Sequence, residues 1–147
     1  DFKVRNSPHK KVDYCVMSGT YNLAMTSNVP QWEDYVLGCL SDCWKQTRKL
    51  MIFNLQISKF SFISKGNIFY ASKRKTLSKC ISMFGPTEIV QHPLLSKDAM
   101  FIVKKVWLCN CKSCFWCHQK SRTVKLKNWG QRKTTPSISI WLVVKLF

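Results

Sequence analysis

Acidic residues and alanine are scarce in this sequence. Of its 147 residues, 7 are Asp or Glu and 24 are Lys or Arg, so the formal net charge is +17. The only glutamates are Glu33 and Glu88. With so few carboxylates, paired groups for general acid–base catalysis are hard to assemble. The sequence also lacks a Walker phosphate loop, a Gly-x-Gly-x-x-Gly motif and a Gly-x-Ser-x-Gly motif. We therefore expect that the protein is not an enzyme.

Long apolar runs are missing as well. The longest uncharged apolar stretch, Ile138 to Val144, is far shorter than the roughly 20 residues that a membrane-spanning helix needs. The sequence holds no Asn-x-Ser/Thr sequon, and its 8 cysteines make up about 5% of the chain, below the density of a disulfide scaffold. These features predict no membrane-spanning segment and favour an intracellular protein over a secreted one.

No internal repeat and no Pro/Gly-rich linker divides the chain. We predict a flexible N-terminal arm over residues 1–11 and a single small basic domain over residues 12–147. The predicted fold class is α+β. It comprises one long amphipathic helix, a second short helix and a small, mostly antiparallel sheet in the C-terminal half.

The long helix is predicted from Val29 to Leu50, because its apolar residues recur on one face with a period of 3.6. Asn28 suits the N-cap and Pro30 suits the first turn. The short helix is predicted from Ser72 to Phe84, where Gly85 and Pro86 would end it.

Alternating apolar residues predict the strands. Alternation over 53–62, a turn at Ser64–Asn67 and a return strand at Asn67–Ala71 indicate a hairpin. Three further strands are predicted at Met100–Leu108, Arg122–Trp129 and Ser137–Phe147.

The densest chemical motif is a cysteine-rich turn between the first two of these C-terminal strands. Thiolates and imidazole are the ligands that Zn²⁺ prefers, and the Cys-x-x-Cys spacing that suits it occurs twice. The predicted zinc ligands are Cys109, Cys111, Cys114, Cys117 and His118. A second ligand pair would have to come from Cys80, His92 or the Cys39/Cys43 pair, none of which has Cys-x-x-Cys spacing. Cys39 and Cys43 are predicted instead to pack in the core.

Three alternatives to zinc stay open for the same turn. Cys114, Cys117 and His118 satisfy the Cys-x-x-Cys-His pattern of c-type haem attachment. Cys111, Cys114 and Cys117 match the first three ligands of a bacterial iron–sulfur run, but the chain lacks the fourth Cys followed by Pro. The cysteines could also be free thiols without a metal. Free thiols are the leading alternative, and among the bound groups zinc is favoured over haem and over an iron–sulfur cluster.

Charge is distributed unevenly along the chain. After Asp98 there is no acidic residue, and bases alternate with Trp107, Phe115, Trp116 and Trp129. Such a composition attracts polyanions and is typical of stacking platforms for single strands. We predict a small basic nucleic-acid-binding module for RNA or single-stranded DNA. Its predicted binding residues are Lys104, Lys105, Lys120, Arg122, Lys125, Lys127, Trp129, Arg132 and Lys133.

Other hypotheses compete with nucleic-acid binding. This positive charge would also be attracted to another polyanion or to an anionic membrane surface. The sequence does not indicate an oligomeric state. The chain lacks an initiator Met and any complete motif. It could therefore be a fragment or the product of a marginal reading frame with no selected function, although the well-formed first helix argues against this. A second alternative is a secreted, disulfide-bonded basic protein.

Overall fold

The computed structural model describes residues 7–105 and 139–143. It has an α+β fold, as predicted, with two helices and seven strands in the described residues. The strands are β1 (Val12–Met17), β2 (Thr47–Ser58), β3 (Phe62–Ile63), β4 (Phe69–Ser72), β5 (Thr87–Val90), β6 (Asp98–Lys104) and β7 (Ile140–Val143), and the helices are α1 (Val29–Gln46) and α2 (Lys73–Phe84). The prediction that the sheet lies in the C-terminal half is wrong, because β1 already belongs to it.

Strand β2 lies at the centre of the sheet. Strands β1 and β4 pair with it in parallel, whereas β6 pairs with it in the antiparallel direction. Strand β7 extends the sheet beyond β1 in parallel, and β3 and β5 add antiparallel edges to β4 and β6. Parallel and antiparallel pairings are thus equally frequent in the described residues, and the prediction of a mostly antiparallel sheet is wrong. Helix α1 makes the parallel β1–β2 pair possible, because parallel neighbours need a crossover connection.

Helix α1 begins where the sequence predicts and ends four residues earlier. The Asn28 side chain accepts a hydrogen bond from the Gln31 amide at 3.0 Å, and Pro30 lies in the first turn. At the other end, the buried hydroxyl of Thr47 donates to the Cys43 carbonyl at 2.8 Å. Thr47 itself is extended. Residues 47–50 therefore start strand β2, and Leu50 pairs with Lys104 across the sheet.

Helix α2 matches its prediction closely. Ser72 is at the N-cap position, and Gly85 ends the helix with a φ of 100°. That left-handed conformation is strained for residues with a side chain, which explains the glycine at this position.

The predicted hairpin is only partly correct. The turn at Ser64–Asn67 forms, with Asn67 at a φ of 58° and its amide bonded to the Ser64 carbonyl at 2.9 Å. The antiparallel pair that it closes is β3–β4. The longer preceding strand, β2, instead pairs with β4 in parallel. The chain therefore reverses twice between β2 and β4 rather than once.

The C-terminal strands are confirmed where the structure describes them. Strand β6 covers part of the predicted Met100–Leu108 strand, and β7 lies within the predicted Ser137–Phe147 strand. The predicted strand Arg122–Trp129 lies outside the described residues. Strands β1 and β5 were not predicted. The N-terminal arm and the domain bounds stay predictions.

Both helices pack on one face of the sheet. Alternate residues of β2, namely Met51, Phe53, Leu55 and Ile57, are buried beneath them. The intervening residues of β2, namely Leu50, Ile52, Asn54 and Gln56, are half-buried on the opposite face. No helix of the described part covers that second face. The sheet thus has a closed face under the helices and an open face.

We expect Leu40→Ala to lower the free energy of unfolding by about 2–5 kcal/mol, because Leu40 is fully buried in the core. Urea denaturation followed by circular dichroism measures this change. Leu94→Ala is the matched control, since Leu94 is 87% exposed, and it should change stability by less than about 0.5 kcal/mol. Equal effects of the two substitutions, or unfolding without a cooperative transition, would contradict this core.

Candidate functional site

A groove opens where strand β2 ends and helix α2 begins. It encloses about 1070 Å³ and lies at the carboxyl ends of the parallel strands β2 and β4. Its lining comes from the end of β2 and the following loop, from the first half of α2, and from β5 and the segment after it. In open sheets with parallel strands, ligands bind in the crevice beyond the carboxyl ends of the strands.

Positive charge dominates this groove. Five cationic side chains and no carboxylate are among its lining residues. These basic residues are Lys59, Lys73, Arg74, Lys75 and Lys79. We call the surface that they form the basic groove. These positions are not among the predicted binding residues, because Lys59 comes close to α2 only through the pairing of β2 with β4.

Three of these cations occupy the first turn of α2. No acidic residue accompanies Lys73, Arg74 and Lys75 there. The N-terminus of a helix carries a partial positive charge, so cations at this end are unfavourable and anions are favourable. The first turn of α2 thus departs from the charge pattern that stabilises an isolated helix. A run of bases at a helix start is the sequence signal that could have indicated this site.

The N-cap side chain of α2 does not cap the helix. The Ser72 hydroxyl donates to the Lys59 carbonyl at 3.1 Å and makes no capping hydrogen bond. The Ser72 amide donates to the Ser61 hydroxyl at 2.9 Å. These two bonds hold the 59–61 loop against the start of α2. The amides of the first helical turn therefore lack side-chain capping by Ser72, and such amides bind anions well.

The cations of the basic groove differ in their contacts with neighbouring side chains. Lys75 forms an ion pair with Glu33 of α1, and the Lys73 ammonium donates to the Gln91 side chain at 2.9 Å. The Lys59 ammonium lies 5.5 Å from the centroid of the Phe60 ring, which is 71% exposed. Arg74 is exposed and forms no ion pair within the described part of the chain. Lys59 and Arg74 are therefore the cations most accessible to a ligand.

Glu33 connects helix α1 to the groove. Burial alone would raise the pKa of this carboxyl group, but hydrogen bonds from Lys75 and Ser61 outweigh burial and lower its pKa. The Ser61 hydroxyl donates to Glu33 at 2.5 Å. Because Ser61 also accepts from the Ser72 amide, the Glu33 carboxylate helps fix both the loop and the start of α2.

We expect Glu33→Gln to lower the free energy of unfolding by about 1 kcal/mol at neutral pH, since it removes a charged acceptor. The Glu33 pKa is lowered by folding. Its stabilising contribution is therefore complete above the ordinary glutamate pKa of about 4.3 and is lost as the pH falls through the lowered value. Urea denaturation at several pH values should show the two proteins converging in acid. Asp34→Asn, on the exposed side of α1, is the control, and a stability gap that persists in acid would contradict this role.

Two of the residues predicted to bind nucleic acid lie in the described part, and both have intramolecular partners. The Lys104 ammonium donates to Glu88 at 2.7 Å. The Lys105 ammonium donates to the carbonyls of Trp44 and Thr47 and lies 4.8 Å from the centroid of the Trp44 ring. Burial lowers the pKa of Lys105, and the nearby charge of Lys11 adds to this effect.

These two lysines and the basic groove lie at opposite ends of the sheet. Lys104 pairs with Leu50 near the start of β2, whereas Ile57 and Ser58 at the end of β2 line the groove. The other predicted nucleic-acid-binding residues, namely Lys120, Arg122, Lys125, Lys127, Trp129, Arg132 and Lys133, lie outside the described residues.

The predicted zinc ligands Cys109, Cys111, Cys114, Cys117 and His118 also lie outside the described residues. The cysteines that the structure describes, Cys15, Cys39, Cys43 and Cys80, are buried. The prediction that Cys39 and Cys43 pack in the core is thus confirmed. Burial raises the pKa of Cys80 to about 12. Residues 7–105 and 139–143 contain no group of three or more His, Cys, Asp or Glu that could hold a metal ion.

Neither of the two described helices is long and apolar enough to span a membrane. In comparisons with known proteins, the chain matches no family model and is significantly similar to no curated protein and to no solved structure. The assignment of a function therefore depends on the geometry and charge of the basic groove.

Proposed function

We propose that the protein is a small basic module that binds single-stranded nucleic acid, RNA or DNA, through the basic groove. The observation that carries the proposal is the run Lys73, Arg74 and Lys75 in the first turn of α2. These cations and the positive helix end repel one another. A bound phosphate group would relieve that repulsion. Departures from the rules of stable helices are expected at functional sites.

The side chains around the helix start support a single strand as the ligand. Phe60 presents an exposed ring at the groove, with the Lys59 ammonium beside it. Proteins that bind single strands combine a basic groove for the backbone with aromatic rings on which bases stack. A base stacked on Phe60 would place the adjoining phosphates near Lys59 and the first turn of α2.

We expect the double variant Lys59→Gln/Arg74→Gln to bind a single-stranded oligonucleotide more weakly, because two phosphate contacts are lost. The plot of log K against log salt concentration has a negative slope, and its magnitude should decrease by about 0.7 for each lost contact with a single strand. Fluorescence anisotropy with labelled oligo-dT and oligo-U at several salt concentrations measures this slope.

Phe60→Ala should lower the affinity by about 1–3 kcal/mol, because the base loses its stacking partner, and should leave the slope unchanged.

The matched control is Lys10→Gln/Lys65→Gln. Both lysines are exposed and lie outside the lining of the groove, and their substitution changes the net charge by the same amount. This control should retain the wild-type affinity within about twofold, which is less than 0.5 kcal/mol. An equal loss of affinity in both double variants would show that only overall charge matters. That result, or no binding at low salt, would contradict the proposal and would favour the hypothesis of a chain without a selected function.

Zinc in the cysteine-rich turn is a separate part of the proposal and depends on the sequence alone. We expect elemental analysis of the purified chain to find one zinc per molecule, with no haem or iron–sulfur absorption in the visible range. Cys114→Ser should remove the metal, because it takes a thiolate from both Cys-x-x-Cys pairs. Cys80→Ser, at a buried core position, should retain it. A metal-free wild-type protein would leave the cysteines as free thiols and overturn the zinc proposal.

A further inference from the structure

Asp98 differs from the other carboxylates of the described chain. Asp13, Glu33, Asp42 and Glu88 each lie within 4.0 Å of a lysine or arginine side chain. Asp98 is half-buried and has no cationic side chain within that distance among the described residues, and Asp34, which also has none, is exposed on α1. In a protein with a net charge of +17, a half-buried carboxylate without a cation is unexpected.

The Asp98 carboxylate is held in place by Asn54. The Asn54 side-chain amide donates to both carboxylate oxygens, at 3.2 and 3.3 Å. The oxygen of the same Asn54 side chain accepts a hydrogen bond from the Gly19 amide at 2.6 Å. Asn54 is thereby oriented so that its donor group faces Asp98. A carboxylate oxygen can accept more than one hydrogen bond, so each oxygen of Asp98 can still accept a hydrogen bond from a ligand.

Asp98 and Asn54 line a cavity of about 280 Å³ on the open face of the sheet. The apolar part of its lining consists of Val16, Met17, Ile52, Val90, Leu95 and Met100. Val90, Leu95 and Met100 are about half exposed. Small-molecule sites have this composition, with mostly apolar walls and a few polar groups that fix orientation.

The cavity is distinct from the basic groove, although both are near the same end of the sheet. The segment between β5 and β6 contributes to both surfaces. Gln91 and Ser96 line the basic groove, whereas His92 and Leu95 line the cavity. Asp98 is the only carboxylate among the lining residues of the cavity.

We propose that this cavity binds a small organic cation, namely a primary amine attached to a compact apolar body. The ammonium group would donate charge-assisted hydrogen bonds to Asp98, and the apolar body would cover the exposed side chains of the walls. The net positive charge of the protein repels cations at long range. At physiological ionic strength, however, charges more than about 8 Å apart are largely screened, whereas a contact with Asp98 is not.

The test uses 2-phenylethylamine as the probe and 2-phenylethanol as its neutral counterpart. Two-dimensional NMR titrations of the full chain should show shifts at residues of the cavity. We expect the amine to bind about tenfold or more tightly than the alcohol, since a hydrogen bond to a charged group contributes more than a neutral one. Equal affinities for the two probes, or no binding of the amine at millimolar concentrations, would overturn the proposal.

Two variants locate the site. Asp98→Asn should weaken amine binding about tenfold, and its control Asp34→Asn removes an equal charge from an exposed position of α1 and should bind as the wild type does. Met100→Trp should abolish binding altogether, because it fills the cavity from a wall residue that is 43% exposed and leaves the carboxylate intact. If Asp98→Asn does not fold, Met100→Trp decides. Wild-type affinity in either folded variant would contradict the assignment.

Discussion

The pairing of strand β2 along both of its edges determines where the rest of the described chain lies. One edge of β2 is shared by β1 and β4, and the other is occupied by β6. Because side chains alternate along a strand, this register also decides the face of every β2 residue. Phe53 is therefore buried under the helices and stacks on Phe101 of β6, with ring centroids 5.1 Å apart, whereas its neighbour Asn54 reaches the open face.

The two surfaces proposed to bind ligands follow from this arrangement. On the helix side, the end of β2 delivers Lys59 to the start of α2 and so completes the basic groove. On the open side, Asn54 of β2 meets Asp98 at the start of β6. The charges of the two surfaces are opposite. The C-terminal half of β2 thus contributes to the proposed anion site on one face of the sheet and to the proposed cation site on the other.

The cations near the end of α1 and the cations at the start of α2 lie at opposite ends of a helix dipole. Near the C-terminus of α1, the ammonium groups of Lys11 and Lys105 donate to main-chain carbonyls. Lys45 pairs with Asp42 in the same region. Cations at this negative helix end stabilise the fold. The cations at the start of α2 lie at the positive end instead, which is unfavourable for them, and this is the feature on which the proposed phosphate contact is based.

Local signals accounted for what could be predicted of the fold. The start of α1 at Asn28 and the end of α2 at Gly85 each depend on hydrogen bonds within three or four residues, and the Ser64–Asn67 turn is equally local. Such contacts form between neighbours in sequence, so residue types reveal them. Strand β1 was not predicted, because Asp13 interrupts its apolar pattern. Asp13 is buried, and its carboxylate faces Arg48, Lys49 and Ser139, which are all distant in sequence.

The sequence by itself determined the α+β class, the helix start and turn positions, and the excess of basic residues. It also showed three bases at the start of α2, although not what lies beside them. Only the tertiary structure decided that β2 pairs with β4 in parallel and that α1 ends at Gln46. It also decided that Asn54 donates a hydrogen bond to Asp98, which lies 44 positions later in the sequence. The physical reason is that strand partners are selected by burial of side chains far apart in the chain, so no short stretch of sequence contains the information.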